Sequence, residues 1–242
     1  MIVPRRQDIK HKIQLFRLLR AILSNDFLAN ALVFKGGTYA SLLNVLDRFS
    51  VDLDFDLPDK TATAKVRNEL YKVFNDLGLA VKDESKKYLQ FFLKYSAPDN
   101  ERNTLELDIN DQPSKFNTYQ RVRLSEIRMF CRGHAPETMF ANKLIVAKAR
   151  FDKAGKIAGR DFYDIRRFFE QGIGVNVKVV EDLSGLSYKE YLKELLDLIE
   201  REVSDKTLRE DLAPLMKIDF LNKELPHLKP ELIMFLEGEI GL

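Results

Sequence analysis

The sequence contains few cysteines and histidines, the residues that form disulfides and bind structural metal ions. Among its 242 residues there is one cysteine, Cys131, which excludes an intrachain disulfide and a zinc site made of cysteines from one chain. The three histidines, His11, His134 and His227, lack metal-ligand spacing, and we expect them at the surface or at helix caps rather than in catalysis. A reducing, cytoplasmic location fits the absence of disulfides, and we expect it.

Long apolar runs and a large net charge are also missing. No window approaches the roughly 18 apolar residues of a membrane span, and residues 1–8 lack the apolar core of a signal peptide, so we expect no membrane contact. The formal net charge is +2, so any basic surface for a nucleic acid must be local. With 45% hydrophobic and 31% charged residues, the chain is typical of a globular protein with one large domain or two small lobes.

Hydrophobic periodicity predicts a sheet in the first half of the chain and helices in the second. Alternating apolar and polar residues predict strands at 49–57 and 104–110, and apolar residues at three- and four-residue steps predict helices between strands and throughout the second half. This order predicts an α+β fold: a short mixed sheet flanked by helices, followed by a C-terminal helical bundle. We predict a core at 1–115 and a mainly helical lobe at 116–242.

A glycine pair, Gly36-Gly37, follows a short apolar run and precedes Thr38, the predicted cap of the next helix. Glycines let backbone amides approach an anion closely, and a helix start offers free N–H groups with a favourable dipole. The Thr38 hydroxyl can also donate to a phosphate oxygen. A tight strand-to-helix turn has the same pattern, and the Gly-Lys-Ser/Thr of a P-loop is absent, so this segment alone is a weak signal.

Two carboxylates, Asp52 and Asp54, lie two residues apart on the predicted strand and therefore project from one face. They repel each other unless a cation lies between them, and Mg²⁺ or Mn²⁺ would accept their oxygens together with those of substrate phosphates. A solvated strand face is the structural alternative. Asp56 continues the face, but Pro58 places it near the strand end, and we leave it out of the site.

Further polar residues can complete this site. Asp108 lies on the polar face of the predicted strand at 104–110, where a third carboxylate would hold the metal that activates an attacking hydroxyl. We favour Asp108, and Glu106 on the same face stays open as the rival. Arg48 can pair with Asp52 or with substrate. Ser50 can hydrogen-bond a carboxylate or a phosphate, although turn formation explains it equally well.

The combination of these motifs resembles a known family. Gly-Gly-Thr at 36–38, followed by Arg-Phe-Ser-x-Asp-x-Asp at 48–54, resembles the AbiEii/AbiGii toxin group of minimal nucleotidyltransferases within the DNA polymerase β-like superfamily. The superfamily pattern is Gly-Ser followed by Asp-x-Asp, and a threonine here keeps the hydroxyl. The second half also matches the helical signature of the family, with Pro-Glu at 136–137, Lys143 and Arg-Asp-Phe-Tyr-Asp-Ile at 160–165.

The resemblance implies a nucleotidyltransferase-like sheet and a pyrophosphate-releasing transfer from a nucleoside triphosphate (NTP) to a hydroxyl acceptor. It implies RNA as the acceptor, such as a tRNA 3′ end, and the toxin of a toxin–antitoxin pair with a cognate antitoxin. It also implies that Lys143, Asp161 and Asp164 take part in activity. A protein or small-molecule acceptor, such as an antibiotic hydroxyl, and an inactive nucleotide-binding module are the alternatives.

The chemistry of these later residues allows two interpretations. Lys143 can neutralise charge on a leaving pyrophosphate, or it can be a surface lysine with a buried stem. Asp161 and Asp164 share a helix face and can orient Lys143 and Arg160, or they can stabilise the helix dipole. The surrounding segment is basic enough to bind polynucleotide phosphate, although a solvated helical surface explains it equally well. Its basic residues are Arg121, Arg123, Arg128, Arg132, Lys143, Lys148, Arg150, Lys153, Lys156, Arg160, Arg166 and Arg167.

Overall fold

A computed structural model describes residues 1–98 and 101–241, and these residues form two compact units. Unit 1 comprises Met1–Pro113 and Thr118–Ala135, and unit 2 comprises Ser114–Asn117 and Pro136–Leu242. The prediction assigned 116–135 to the helical lobe, whereas most of that segment packs with unit 1. As a statement about independent domains, the division after residue 115 stays a prediction.

Unit 1 is a mixed sheet with flanking helices. Its helices are α1 (Asp8–Ser24), α2 (Asp26–Ala31), α3 (Gly36–Leu42) and α4 (Thr63–Asp76), with a 3₁₀ turn at Lys60–Ala62. Its strands are β1 (Val33–Lys35), β2 (Asp52–Asp56), β3 (Ala80–Glu84), β4 (Leu89–Lys94), β5 (Thr104–Asn110), β6 (Tyr119–Leu124) and β7 (Met129–His134). Within the described residues, the strand order is β3-β4-β5-β2-β1-β7-β6. The β2–β5 and β1–β7 pairs are parallel and the other pairs are antiparallel.

The predicted alternation places apolar side chains in the core of unit 1. On β5, which has the predicted bounds, Leu105, Leu107 and Ile109 are buried, and on β2 Leu53 and Phe55 are fully buried. Burying five such side chains gives this part of the sheet one fixed register, because a one-residue slip would move all of them to the other face. The α+β prediction, with a short mixed sheet and then helices, is confirmed.

The hairpin formed by β6 and β7 is the largest difference between the predicted and the observed structure of unit 1. The sequence predicts at most a short strand near 122–124, but β7 lies inside the sheet, between β1 and β6. Gly133 gives no strand signal, yet glycine is required there, because a Cβ would lie 2.3 Å from the Tyr39 ring. A glycine in a strand often marks such a close approach.

Unit 2 is helical within its described residues. Its helices are α5 (Pro136–Ala154), α6 (Gly159–Glu170), α7 (Val177–Ser184), α8 (Tyr188–Glu202), α9 (Asp205–Leu212) and α10 (Ile218–Ile240). The short segment Ser114–Asn117 joins this unit, because the Ser114 hydroxyl donates to Asp182 at 2.6 Å and Asn176 donates to the Phe116 carbonyl. None of the described helices is both long and apolar enough to cross a membrane.

Helix α10 is much longer than the predicted helix at 229–236, and it continues through two prolines. Pro226 and Pro230 lie four residues apart on its exposed side. Each proline lacks the N–H that would bond the carbonyl four residues earlier, here those of Asn222 and Pro226. Both of these residues are exposed, so water can satisfy the freed carbonyls and the helix persists.

Two of the three histidines are buried, which corrects the expectation that they lie at the surface. His11 on α1 is 1% exposed, with Nδ1 2.8 Å from the Tyr95 hydroxyl and Nε2 2.8 Å from the Val51 carbonyl oxygen. Burial lowers the pKa of His11 to about 4, although the Val51 hydrogen bond opposes this shift. His11 is therefore neutral in the native state at pH 7. His134 is also buried, whereas His227 is exposed as expected.

We predict that His11 makes the fold sensitive to mild acid. The native pKa of about 4 lies below the unfolded value of 6.5, so the unfolded chain binds the proton first. Stability is therefore lost as pH falls below 6.5, with about 2 kcal/mol gone between pH 7 and pH 5. Urea unfolding at the two pH values measures this loss.

The substitution His11→Gln removes this titration and should reduce the difference between pH 7 and pH 5 by about 2 kcal/mol. The matched control is His227→Gln, which replaces an exposed histidine on α10 and should leave the difference unchanged. An equal pH dependence in wild type and His11→Gln would contradict the prediction.

Candidate active site

The glycine turn and the strand carboxylates are in direct contact. Helix α3 begins at Gly36, whose φ of +77° lies in the left-handed region that favours glycine. A Cβ on Gly36 would lie 2.1 Å from Asp54 Oδ2, so the backbone at the helix start touches this carboxylate. An anion held by the turn would therefore lie next to a carboxylate, an arrangement that calls for a cation between them.

Thr38 lies inside α3 rather than at its cap, since Lys35 is the residue before the first helical turn. Its side chain is fully buried, and its hydroxyl donates to the Asp52 carbonyl at 2.6 Å. This bond ties α3 to the start of β2. The predicted contact between Thr38 and a phosphate stays a prediction, and the observed bond gives Thr38 a positioning role.

We predict that Gly36→Ala lowers nucleotide-dependent activity by roughly 10²-fold, the cost of displacing a reacting group by about 1 Å. Alanine is strained at this φ and its methyl group would displace the Asp54 carboxylate. The control is Gly78→Ala, because Gly78 has a similar φ of +66° but nothing within 4 Å of its Cβ position. Both variants should lose about 1–2 kcal/mol of stability. Steady-state rates at matched folded concentration test this, and wild-type rates for Gly36→Ala would refute it.

The register of β2 and β5 distinguishes between the two candidates for the third carboxylate. Asp54 lies opposite Asp108, whereas Asp52 lies opposite Glu106. Glu106 accepts a 2.9 Å hydrogen bond from the side-chain amide of Gln90. Burial raises the pKa of Asp108, and the charge of Asp54 raises it further. The geometry favours Asp108 as the partner of Asp54.

A divalent cation would fit this carboxylate pair. Within residues 1–98 and 101–241, no cluster of three or more His, Cys, Asp or Glu side chains has the geometry of a ready metal site. The predicted three-ligand set of Asp52, Asp54 and Asp108 is therefore not preformed. Magnesium commonly uses one or two carboxylates and takes its other ligands from water and substrate phosphates. Asp54 and Asp108 can supply these one or two carboxylates. Their negative charges repel each other, which raises the pKa of Asp108, and a cation bound between them would relieve that repulsion.

Arg48 and Ser50 lie directly beneath the second glycine. A Cβ on Gly37 would be 2.9 Å from both Arg48 Nη2 and Ser50 Oγ. Arg48 is 3% exposed, and its Nη1 donates to the Phe49 carbonyl at 3.0 Å. Both side chains therefore support the glycine turn, and their contact with a nucleotide stays a prediction.

Asp56, excluded on sequence grounds, anchors a buried ion network. It is fully buried, with Oδ1 2.6 Å from Lys35 Nζ and Oδ2 2.7 Å from His134 Nε2. Burial alone would raise the pKa of Asp56, but the hydrogen bond from His134 and the charge of Lys35 hold it below its usual value. Burial also lowers the pKa of His134. The network fixes Lys35, the residue that precedes the glycine pair.

In unit 2, Lys143 lies between the two predicted aspartates. Its Nζ is 3.0 Å from Asp161 Oδ1 and 2.9 Å from Asp164 Oδ2, and both carboxylates are buried. Arg150 Nε lies 3.2 Å from Asp161 Oδ2, so Arg150, and not Arg160 as expected, is the guanidinium beside this cluster. The cluster joins α5 to α6, and its two positive charges balance its two negative charges.

Family comparison agrees with this arrangement. The sequence matches the family described as "Nucleotidyl transferase AbiEii toxin, Type IV TA system" over residues 17–229, most of the chain. The chain belongs to the AbiEii family. It is therefore a nucleotidyltransferase of the toxin type, with an NTP as substrate and, as a type IV system implies, an antitoxin as partner.

Solved structures share the AbiEii-family fold. JHP933 from Helicobacter pylori is 23% identical, with a TM-score of 0.56, and the alignment covers 98% of this chain and 93% of that one. MenT4, a nucleotidyltransferase toxin from Mycobacterium tuberculosis, is 17% identical, with a TM-score of 0.59 and coverage of 95% and 84%. At this identity the likeness concerns the fold. A search of curated proteins found no match.

The AbiEii motifs fall into both units. The glycine turn, Arg48, Ser50 and the strand carboxylates belong to unit 1, whereas Lys143, Asp161 and Asp164 belong to unit 2. Sequence reasoning missed Lys35 and His134 and excluded Asp56 from the site. Lys35 is a charged residue at the end of an apolar run and next to the glycine pair, but nothing local connects it with Asp56 or His134.

Proposed function

We propose that this AbiEii-family protein transfers a nucleoside monophosphate from an NTP to a hydroxyl of RNA, at a tRNA 3′ end, in a reaction that depends on Mg²⁺ or Mn²⁺. The observation that carries the proposal is the contact of the Gly36 backbone with Asp54, which lies opposite Asp108. An anion-binding turn beside two carboxylates suits a phosphate that arrives together with a divalent cation.

The carboxylates Asp54 and Asp108, with Asp52 two residues along β2, would hold the metal ion. When bound, a divalent ion neutralises phosphate charge and lowers the pKa of the attacking hydroxyl. The amides of Gly36 and Gly37 bind triphosphate oxygens at the start of α3, and the role of Lys143 in unit 2 stays a prediction. The protein thus contributes mainly positioning and charge stabilisation, as expected for phosphoryl and nucleotidyl transfer.

In the proposed reaction, the acceptor hydroxyl oxygen forms a bond to the α-phosphorus. The bond from that phosphorus to the oxygen bridging to the β-phosphate breaks, and pyrophosphate leaves with the bonding electrons. The hydroxyl proton passes to Asp108, the carboxylate that lies opposite Asp54.

The charge distribution of unit 2 supports an RNA acceptor. A cleft of about 560 Å³ is lined by Arg150, Lys153, Lys156 and Arg160, with Asp211 as its acidic residue. The Asp211 carboxylate accepts a hydrogen bond from the Gly159 amide at 2.6 Å. Arg150 is already paired with Asp161, and the three further cations beside one carboxylate suit a phosphate-rich ligand better than a neutral small molecule.

The test is incubation of the protein with each labelled NTP in turn, a divalent metal and total cellular RNA. We expect label from at least one NTP on RNA of tRNA size, and none when the metal is chelated. Label on protein or on a small molecule instead of RNA would overturn the RNA acceptor. Absence of transfer to every acceptor would favour an inactive nucleotide-binding module.

A further inference from the structure

One face of the hairpin formed by β6 and β7 carries alternating arginines and aromatic rings. The pairs across the hairpin are Tyr119 with His134, Arg121 with Arg132, and Arg123 with Phe130. Directly paired residues point to the same side of a sheet, so these side chains share one face. We call the solvent-accessible part of this face the Arg-aromatic ladder. It consists of the exposed residues Arg121, Arg123, Phe130 and Arg132 and the half-buried Tyr119.

The ladder is exposed and locally positive. Phe130 is 56% exposed, with the Arg121 guanidinium 5.0 Å from its ring centre, and Arg132 lies 4.9 Å from the Tyr119 ring centre. Across the described part of the chain, the three ladder arginines form no ion pair. The nearest carboxylate in sequence, that of Glu126, already pairs with Lys12 at 2.7 Å.

The ladder lies on the same sheet face as the candidate catalytic carboxylates. Asp54 pairs in register with Lys35, and the buried Asp56 carboxylate joins Lys35 to His134. The His134 ring in turn packs 5.6 Å from Tyr119. Moving from β2 across β1 and β7 to Tyr119 on β6 crosses three strand spacings, roughly 14 Å, and Phe130 lies four residues, about 13 Å, along β7 from His134. A short single-stranded segment can span that distance.

We propose that the Arg-aromatic ladder binds the single-stranded segment of the acceptor RNA that leads to the reacting hydroxyl, an inference that rests on the proposed RNA acceptor. The arginines contact backbone phosphates, and the Phe130 ring stacks on a base. Aromatic rings interleaved with cations are the usual means of binding single strands without sequence readout.

The first test is Phe130→Ala, which removes the ring without changing the net charge. We expect fluorescently labelled single-stranded RNA to bind roughly 5- to 150-fold more weakly, the range for loss of one stacked base. Binding of an α,β-methylene NTP with Mg²⁺ should be unchanged. Phe130→Tyr should restore RNA binding, because it keeps a flat ring. Since Phe130 is exposed, thermal unfolding should match that of wild type.

The matched control is Tyr88→Ala. Tyr88 is 52% exposed and has the Lys87 ammonium 5.2 Å from its ring centre, but it lies outside the ladder, next to β4. Its loss should leave RNA binding unchanged. If Tyr88→Ala weakens RNA binding as much as Phe130→Ala, any exposed aromatic contributes and the assignment of the ladder is overturned.

The second test measures how much the arginine charges contribute to RNA binding, from its dependence on salt. The double variant Arg121→Ala/Arg123→Ala should reduce the slope of log K against log salt by about 0.7 for each phosphate that the arginines would have neutralised, whereas Phe130→Ala should leave the slope unchanged. Unchanged RNA binding in both ladder variants would overturn the inference. An equal loss of NTP-analogue binding would also overturn it, as would loss of antitoxin binding with RNA binding retained.

Different results would overturn the proposed function and the ladder inference. If the wild type releases pyrophosphate from an NTP with a protein or small-molecule acceptor and binds no single-stranded RNA, the ladder inference and the RNA acceptor are both overturned while nucleotidyl transfer stands. If the wild type labels RNA but the ladder variants label it with unchanged KM, only the ladder inference is overturned.

Discussion

Replacing Asp54 with asparagine should reduce nucleotidyl transfer by roughly 10³-fold or more while leaving the protein folded. The substitution keeps the shape of the side chain but removes the charge that a divalent ion would require, and transition-state charge stabilisation of this kind contributes about 10³–10⁵ in phosphoryl transfer. Because the Asp54 charge raises the pKa of Asp108, Asp54→Asn should also bring that pKa closer to its usual value.

The stability of the same variant separates a functional role from a structural one. Removing one of two repelling carboxylates should leave the free energy of unfolding equal or higher, as is common where charge is held for function. Pyrophosphate release and urea unfolding measure the two effects. The control is Asp76→Asn, which neutralises an exposed aspartate at the end of α4 and should change neither. Wild-type turnover by Asp54→Asn would remove Asp54 from the reaction.

The largest loss of stability is expected for Arg166→Ala in unit 2. Arg166 is buried on α6 and forms ion pairs with Glu170 at 2.5 Å, Glu224 at 2.8 Å and Glu231 at 2.7 Å. Alanine would leave Glu224 and Glu231 on α10 without this cation, whereas Glu170 keeps its pair with Arg167. The carboxylates left behind are partly solvated, so losing these charged hydrogen bonds costs about 1.5–3 kcal/mol, which corresponds to a fall in Tm of about 3–12 °C for a chain of this size.

The control for this prediction is Arg201→Ala, which breaks an exposed pair with Asp197 one helical turn earlier. An exposed pair of this kind contributes about 0.3–0.5 kcal/mol. Thermal and urea unfolding of both variants provides the comparison. If the two variants lose the same small amount, the Arg166 network does not hold α6 to α10.

Strand periodicity predicted much of the fold and of the candidate site from the sequence. Alternation located Asp52, Asp54 and Asp108 on polar strand faces, and the helical pattern placed Asp161 and Asp164 on one side of α6. Local sequence could not choose between Asp108 and Glu106, because both project from the same face of β5. That choice depends on the register with β2, a long-range property set by core packing.

The buried ion network of Asp56, Lys35 and His134 could not be predicted from the sequence, for a physical reason. Asp56, Lys35 and His134 each have an ordinary exposed explanation when considered alone. Their burial depends on β7 entering the sheet beside β1, and Gly133 and a charged residue interrupt the apolar pattern of β7. A polar group in the core is stable only when its partners arrive from elsewhere in the chain, so no local pattern indicates it.

The network of Asp56, Lys35 and His134 also determines when, during synthesis, the candidate active site can take its final structure. His134 and the Asp56 carboxylate it binds are separated by 78 residues. The N-terminal part of the chain leaves the ribosome first, so Gly36 and the carboxylates emerge long before β7 does. Until residue 134 has emerged, Asp56 lacks the hydrogen bond from His134 and β1 has an unpaired edge. A nascent chain of this toxin would thus carry the motifs of its candidate active site well before it can hold them in place.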